Sequence, residues 1–321
     1  MNQTAPSIIT VTLNPCLDRT SAIADFILNG TNKVLHVRED LSGKGINVSI
    51  ALHQWDINTC CLGFDYISGE KQVGKMLAAN KITHHLVPVE GTVRVNIKIF
   101  NEKNGTMTEF NEKGQPVTEE NIQQLLKSTE QILTQAHPDS ILVLSGSVPA
   151  GVPATIYRSL IELSKAKNIR VLLDTSGELL IEGVKARPYA IKPNQDEIAQ
   201  LTGHPVNTIE DAAHAAIKCN QMGIPYVCVS LGAKGALLSS SEGVFYAPPA
   251  PVKVKGIQGA GDSLVAGMCV SFLQGKNTET ALRYATAAAG GSVGREGTLM
   301  CTKEEFERLL PLVKVEQLSI R

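Results

Sequence analysis

The sequence predicts an α/β protein with a mostly parallel central sheet, helices on both faces, and a small β-sheet lid. Three observations predict it. Short β-branched runs alternate with stretches of helical period, the pattern of a sheet covered on both sides. ILVL (141–144), VLLD (171–174) and YVCVS (226–230) are continuously apolar, as strands buried on both faces are. Two stretches, 20–40 and 91–112, break the alternation with strand-like, polar-alternating sequence and little helical signal.

Each element follows from its residues. Strands are expected at 7–13, 58–63, 140–144, 169–173, 188–192 and 225–230, where β-branched residues cluster. Helical periodicity falls at 45–55, 69–80, 118–135, 153–167, 194–202 and 208–222. VRVNIKIF (93–100), the turn at Asn104-Gly105 and TMTEF form a hairpin signal. LLSSS continues as a strand after 235, and 259–311 is mostly helical and rich in Ala and Gly. With no repeat and no low-complexity linker, one domain over 1–321 is expected, carrying antiparallel lid segments at about 14–42 and 91–112.

Composition excludes several classes. Of 321 residues, 43% are hydrophobic and 19% charged, ordinary for a globular chain and unlike a disordered or fibrous one. Thirty basic against 31 acidic residues leave a net charge of −1, with no surplus to neutralise a nucleic-acid backbone. Nothing approaches the ~20 apolar residues of a membrane span. The opening MNQTAPSIITVTL lacks the basic and long apolar regions of a signal peptide. Seven scattered cysteines without a C-x-x-C pair read as reduced, buried thiols in a cytoplasmic protein. His84-His85 reads as a solvated loop pair rather than a metal site.

Four motifs can carry chemistry, three of them bearing glycine. Gly259-Ala260-Gly261-Asp262-Ser263 precedes an apolar helical stretch. That places free amides and a positive dipole end at a helix start, suited to a phosphate or developing oxyanion. Asp262 there can take a proton from a hydroxyl or merely complement the dipole, for ~0.3–1 kcal/mol. Gly43-Lys44-Gly45-Ile46-Asn47 also opens a helix, with Lys44 and Asn47 as donors to sugar hydroxyls, or is an ordinary glycine turn. Ser230-Leu231-Gly232-Ala233-Lys234-Gly235 follows a buried strand, where α/β folds place ligands. In Lys192-Pro193-Asn194-Gln195-Asp196-Glu197, Asn194 and Glu197 share a face. They suit either a capping box or a hydrated magnesium ion. Gly69 to Lys75 fits G-x₄-G-K, but Met76 replaces the required Ser or Thr and no buried strand leads straight into it, so an exposed amphipathic helix is expected.

The order of motifs is specific where each alone is not. Asn14-Pro15-Cys16-Leu17-Asp18, GKGIN (43–47), SGSVP (145–149), KPNQDE, SLGAKG and GAGDS occur in sequence. The whole chain resembles the PfkB, or ribokinase-like, carbohydrate kinases. LNPxLD, GKGIN and VRVN are similar to the phosphosugar branch, which includes 1-phosphofructokinase and tagatose-6-phosphate kinase. The resemblance implies a three-layer α/β/α body with a β-lid, often dimerising through lids, with ATP as co-substrate and Mg²⁺ as cofactor. It implies phosphorylation of a ketohexose monophosphate: fructose 1-phosphate first, tagatose 6-phosphate second, fructose 6-phosphate third.

By position, the resemblance makes Asp262 the base and Gly259, Ala260 and Gly261 the anion hole. Asp18, Gly43, Lys44 and Asn47 hold the sugar. Arg94 holds its phosphate, joined by Lys33 or Arg38 from the lid. Ser230, Gly232 and Gly235 face the nucleotide phosphates, Asn194 and Glu197 organise the magnesium shell through water, and part of 284–295 borders the adenine. The sequence departs from the family pattern at Ser42, where a Gly-Gly pair usually begins, and at Ile257-Gln258, where Gln258 is expected to adjust the nucleotide pocket. Two other classes compete: a non-catalytic sugar-phosphate sensor, and a kinase of unphosphorylated sugars or nucleosides. Under the last, Arg94 should be engaged in a lid salt bridge.

Overall fold

The computed structural model describes residues 6–320 apart from 71, 296 and 298. The chain opens with β1 (Ile8–Thr12), β2 (Cys16–Ile23), β3 (Val34–Ser42), α1 (Lys44–Gln54) and β4 (Thr59–Tyr66). It continues through α2 (Val73–Ala79), β5 (Thr83–Val89), β6 (Arg94–Asn101), β7 (Thr106–Asn111) and α3 (Glu119–Gln135). Next come β8 (Ile141–Ser145), α4 (Ile156–Lys165), β9 (Arg170–Asp174), α5 (Gly177–Lys185), β10 (Ala190–Ile191) and α6 (Gln195–Thr202). Then follow α7 (Ile209–Gln221), β11 (Tyr226–Ser230), β12 (Ala236–Ser240), β13 (Gly243–Ala247), α8 (Ala260–Leu273) and α9 (Thr278–Val293). The last elements are α10 (Lys303–Leu309) and β14 (Glu316–Leu318).

Ten strands form one sheet in the order β14-β13-β12-β11-β10-β9-β8-β1-β4-β5, and four form a second in the order β3-β2-β6-β7. The large sheet is parallel from β5 to β11 and antiparallel from β11 to β14. The central strands β1 and β8 are buried at every position because each face meets helices. Leu142 and Leu144 point into one apolar layer with α3 to α7, while Ile141 and Val143 point into the other with α8 and α9. The expected three-layer body with a small lid sheet is the observed one.

The lid is mixed rather than antiparallel. β2 pairs parallel to β6, and the outer pairs β2–β3 and β6–β7 are antiparallel. β1 and β5 leave the large sheet in the same direction and run on into β2 and β6, so those two strands enter the lid side by side.

Other elements differ from expectation for local reasons. β10 is two residues long, cut short between Pro188 and Pro193, neither of which can donate to a ladder. α2 starts at Val73 rather than 69, where the Asp65 carboxylate accepts from the amides of Val73 (2.8 Å) and Gly74 (3.2 Å). β4 ends at Tyr66, so a buried strand does precede the G-x₄-G-K segment, but an aspartate already occupies the amides a phosphate would need. His84 and His85 lie in β5 opposite Cys61 and Leu62 rather than in a loop. β5, α5, β13 and β14 have no counterpart among the expected elements.

Candidate active site

The six motifs meet at the carboxyl edge of the parallel strands, where such sheets bind ligands. Asn14, just beyond β1, donates to Ser147 Oγ just beyond β8 at 3.1 Å. Asp174 ends β9. Asn194 bridges to Ser230 at the end of β11, joining the KPN and SLGAKG segments.

α8 begins at this edge. Gly259 caps it with φ 74°, a left-handed conformation that disfavours a side chain. A Cβ there would also stand 2.2 Å from Met300 Cε. The first-turn amides of Ala260 and Gly261 lack intrahelical acceptors by construction, and Asp262 is in that turn, 7% exposed. Asn47 Nδ2 of α1 donates to Asp262 Oδ2 at 2.8 Å and lies 3.5 Å from Ser42 Oγ. Ser42 thus replaces glycine with a hydroxyl that touches the asparagine holding Asp262. Burial pushes the Asp262 carboxyl up to about 6; Asp174 adds to this, while Lys44, Asn47 and Lys192 oppose it. That lies below pH 7, so the charged form, the one able to accept a proton, is favoured there.

Beside it lies a cluster the sequence reading did not assign. Asp174 Oδ1 receives Lys44 Nζ and Lys192 Nζ, each at 3.1 Å. Burial favours the neutral acid, but Lys192 and then Lys44 outweigh it and hold the Asp174 carboxyl below its usual range. Burial depresses Lys44, yet Asp174, Asp262 and Glu197 more than reverse this, so it stays charged. A Cβ on Gly261 would stand 3.7 Å from Lys192 Nζ, so an ammonium lies against the α8 amides. Asp174 Oδ2 is buried without a partner. Asp174 had a signal, a charged residue closing a continuously apolar strand.

Asn194 and Glu197 form a reciprocal capping box: Asn194 Oδ1 accepts from the Glu197 amide and Glu197 Oε2 from the Asn194 amide, both at 2.8 Å. Of the two readings open in the sequence, capping is thus realised, and Glu197 is still close enough for Lys44 to feel its charge. Gly232 begins a short 3₁₀ turn (Gly232–Lys234) with open space where its Cβ would be. Gly235 has φ 94°, and a Cβ there would sit 2.1 Å from the Ala247 carbonyl, so only glycine fits. Most of 284–295 is buried helix packed on α8 and Met300–Cys301 rather than free surface, leaving Tyr284, Ala289 and 293–295 partly exposed.

The lid turns a polar face inward. Asp18 is not a lone acceptor: Lys98 Nζ reaches its Oδ2 at 2.8 Å and Asn96 Nδ2 its Oδ1 at 3.0 Å. Arg94 Nε and Nη2 donate to the Asn14 carbonyl, and Nη1 to Asn96 Oδ1 and the Glu112 carbonyl. These acceptors are neutral, so the lid salt bridge expected of a kinase without a substrate phosphate is not what these bonds form. A recess of about 230 Å³ beside Arg94 is lined by Thr92, Glu112, Lys113, Gly114 and Gln115.

Two lid expectations are corrected. Lys33 is exposed, next to Val34, which pairs with Ile23, whereas Arg94 pairs with Cys16 at the other end of β2. That is about 25 Å along the strand, so Lys33 does not join Arg94 within one chain. Arg38 pairs with Asp40 at 2.7 Å and reaches toward Gly297. Gln258 Nε2 donates to Glu109 Oε1 on β7 at 3.2 Å, tying the α8 approach to the lid.

Comparison with known proteins decides what the edge belongs to. The profile described as pfkB family carbohydrate kinase matches residues 11–305. The chain belongs to this family. It is 32% identical to 1-phosphofructokinase of Bacillus subtilis over 97% of this chain and all of that one. It is 29% identical to 1-phosphofructokinase of Escherichia coli K12 over 96% and 98%. Among solved structures, phosphofructokinase-2 of Escherichia coli in complex with potassium superposes with a TM-score of 0.88 at 27% identity, covering 95% and 98% of the two chains. A possible 1-phosphofructokinase of Thermotoga maritima does so with 0.88 at 29% identity, covering 97% and 99%. The fold is therefore ribokinase-like, and the chain is an ATP-dependent phosphotransferase with an alcohol acceptor on a sugar phosphate.

Proposed function

We propose that this kinase transfers the γ-phosphoryl group of ATP to the 6-hydroxyl of fructose 1-phosphate, giving fructose 1,6-bisphosphate and ADP. The observation that carries the reaction is Asp262: an ionisable carboxylate, fixed by Asn47, inside the first turn of α8, beside the half-buried Lys44 and the buried Lys192. The choice of sugar rests on the full-length relatives named 1-phosphofructokinase.

Phosphoryl transfer needs alignment and charge stabilisation more than covalent chemistry. Asp262 takes the hydroxyl proton as that oxygen attacks phosphorus. The Gly259–Gly261 amides and Lys192 meet the charge spreading over the equatorial oxygens. Lys44, held by Asp174, and Asn47 position the sugar with Asp18 and Gly43, and Arg94 with its planar fork takes the 1-phosphate at the recess beside it. Ser230, Gly232 and Gly235 take the nucleotide phosphates. The lid excludes water that competes with the sugar hydroxyl.

The divalent metal of the reaction is read as Mg²⁺. Among the described residues no three His, Cys, Asp or Glu side chains could cage a metal. That fits an ion bound mostly by phosphates and water, with Glu197, Asn194 and the unpartnered Asp174 Oδ2 receiving its waters. When bound, Mg²⁺ neutralises the transferring phosphates. Excess EDTA is expected to abolish ADP release and added Mg²⁺ to restore it; full activity in the chelator contradicts this reading.

A lid-to-lid homodimer is proposed as well. Ile97 and Phe110 pair on the lid face opposite Asp18, and Phe110 is 57% exposed with Val37 on the same face. One solved neighbour, phosphofructokinase-2 of Escherichia coli, is described in a tetrameric form. Phe110→Glu should shift the mass seen by light scattering from dimer to monomer; an unchanged mass argues for another interface. The seven buried free cysteines support a cytoplasmic setting, and among the described residues no helix is long and apolar enough to cross a membrane.

The sugar is tested by a coupled ADP-release assay over fructose 1-phosphate, tagatose 6-phosphate, fructose 6-phosphate, fructose and ribose. Fructose 1-phosphate is expected to give the highest kcat/KM. The neighbour solved with fructose 6-phosphate, at 26% identity, makes that sugar the second reading. ATP and sugar binding without ADP release would favour the sensor.

A further inference from the structure

Lys98 is the charged side chain that nothing above assigns. It lies on β6, two residues beyond Asn96 and four beyond Arg94, so all three project from the inner face of the lid. Its Nζ is 2.8 Å from Asp18 Oδ2, and the side chains of this pair are 7% and 4% exposed. Asn96 fills a site on the other carboxylate oxygen. Removing two charges from water is costly unless geometry and hydrogen bonds compensate, and two apolar residues in their place are often as stable. A buried ion pair on the inner face of the lid therefore points to orientation rather than stability.

We infer that Lys98 is a positioning residue for sugar recognition: it holds and turns the Asp18 carboxylate so that its remaining lone pairs accept hydrogen bonds from the sugar. This rests on the reading above that Asp18 binds the sugar. Lys98 touches the carboxylate, not the substrate, and acts through it. Other charged and titratable groups face this pair. Cys16 and Arg94 lie toward the mouth of the lid, Asp40 sits opposite Asp18 on β3 beside Arg38, and Glu109 sits opposite Lys98 on β7. Asp40 and Glu109 are acidic, so Lys98 is the cation that holds the Asp18 carboxylate in place among them.

The test compares Lys98→Met, Lys98→Arg, Asp18→Asn and the double variant Lys98→Met/Asp18→Asn, with fructose 1-phosphate and ATP. Lys98→Met should raise KM for the sugar phosphate about 100-fold and leave KM for ATP unchanged. Lys98→Arg should restore most of the loss. The double variant should match Asp18→Asn. If Lys98→Met does not fold, this last comparison decides: equality supports the inference, and a further loss overturns it. A normal sugar KM in folded Lys98→Met, with Asp18→Asn impaired, overturns the role of Lys98 alone. A normal KM in Asp18→Asn removes Asp18 from the sugar site and the inference with it.

Discussion

Asp262→Asn is expected to lower kcat by roughly 10²- to 10⁴-fold while ATP and fructose 1-phosphate still bind. The amide keeps the shape of the carboxylate and a neighbour for Asn47, so only the proton acceptor is lost. The position of the group also predicts pH behaviour. Its carboxyl is pushed up to about 6, chiefly by burial, so kcat/KM should fall with unit slope as pH drops through about 6. The second ionisation of a phosphomonoester falls near the same pH, at about 6. The residual activity of Asp262→Asn over the same range isolates the enzyme's share. A wild-type limb no steeper than that of the variant would assign the titration to the substrate.

The same shift predicts a stability effect of definite sign. A carboxyl raised from 3.8 to about 6 on folding binds its proton more tightly in the folded state than in the unfolded one. Its stabilising contribution is complete below pH 3.8 and is lost as pH rises through about 6. At pH 8 the enzyme therefore carries a buried charge that weakens the fold, and Asp262→Asn should melt at a higher temperature than the wild type. The gap should narrow toward pH 5. This is the exchange of stability for activity expected where a charge is kept for catalysis.

The second large effect is at Arg94. Arg94→Ala should raise KM for fructose 1-phosphate roughly 10- to 100-fold, the worth of one or two hydrogen bonds to a charged group, with little change for ATP. The structure makes this a demanding prediction. Four bonds to neutral oxygens engage most of the five guanidinium hydrogens, so a phosphate must displace some of these acceptors or meet the remaining donor and the net charge. Arg94→Lys keeps the charge but not the fork, and should fall between Ala and wild type. Equal losses for sugar phosphate and ATP would mean that Arg94 only ties the lid to Asn14 and Glu112.

Most of the body was legible because its strands are buried on both faces. ILVL, VLLD and YVCVS have no polar alternation to hide their depth, and β8, β9 and β11 fall within a residue or two of expectation. β10 was overlong because prolines at its two ends, not its apolar residues, set its length. The parallel pairing of β2 with β6 cannot be read locally, since it follows from where β1 and β5 leave the large sheet. Gly259, Asp262 and Asn47 came together as their motifs suggested. The partners Asp174 and Lys98 belong to no motif and Lys192 opens one without a role of its own, and only the fold brings each within 3.1 Å of its counter-ion. Lys33 shows the converse: a lysine near in sequence to the lid motif lies at the far end of the lid.

The central claim is that the carboxylate at the mouth of α8 directs ATP's terminal phosphoryl group onto a second hydroxyl of fructose 1-phosphate. Phosphorus NMR of one incubation of enzyme, ATP, Mg²⁺ and fructose 1-phosphate tests it most directly. The predicted result is a new phosphomonoester signal on C6 that grows in step with ADP while the 1-phosphate signal is retained. ADP accompanied by inorganic phosphate, or an unchanged spectrum, would contradict it.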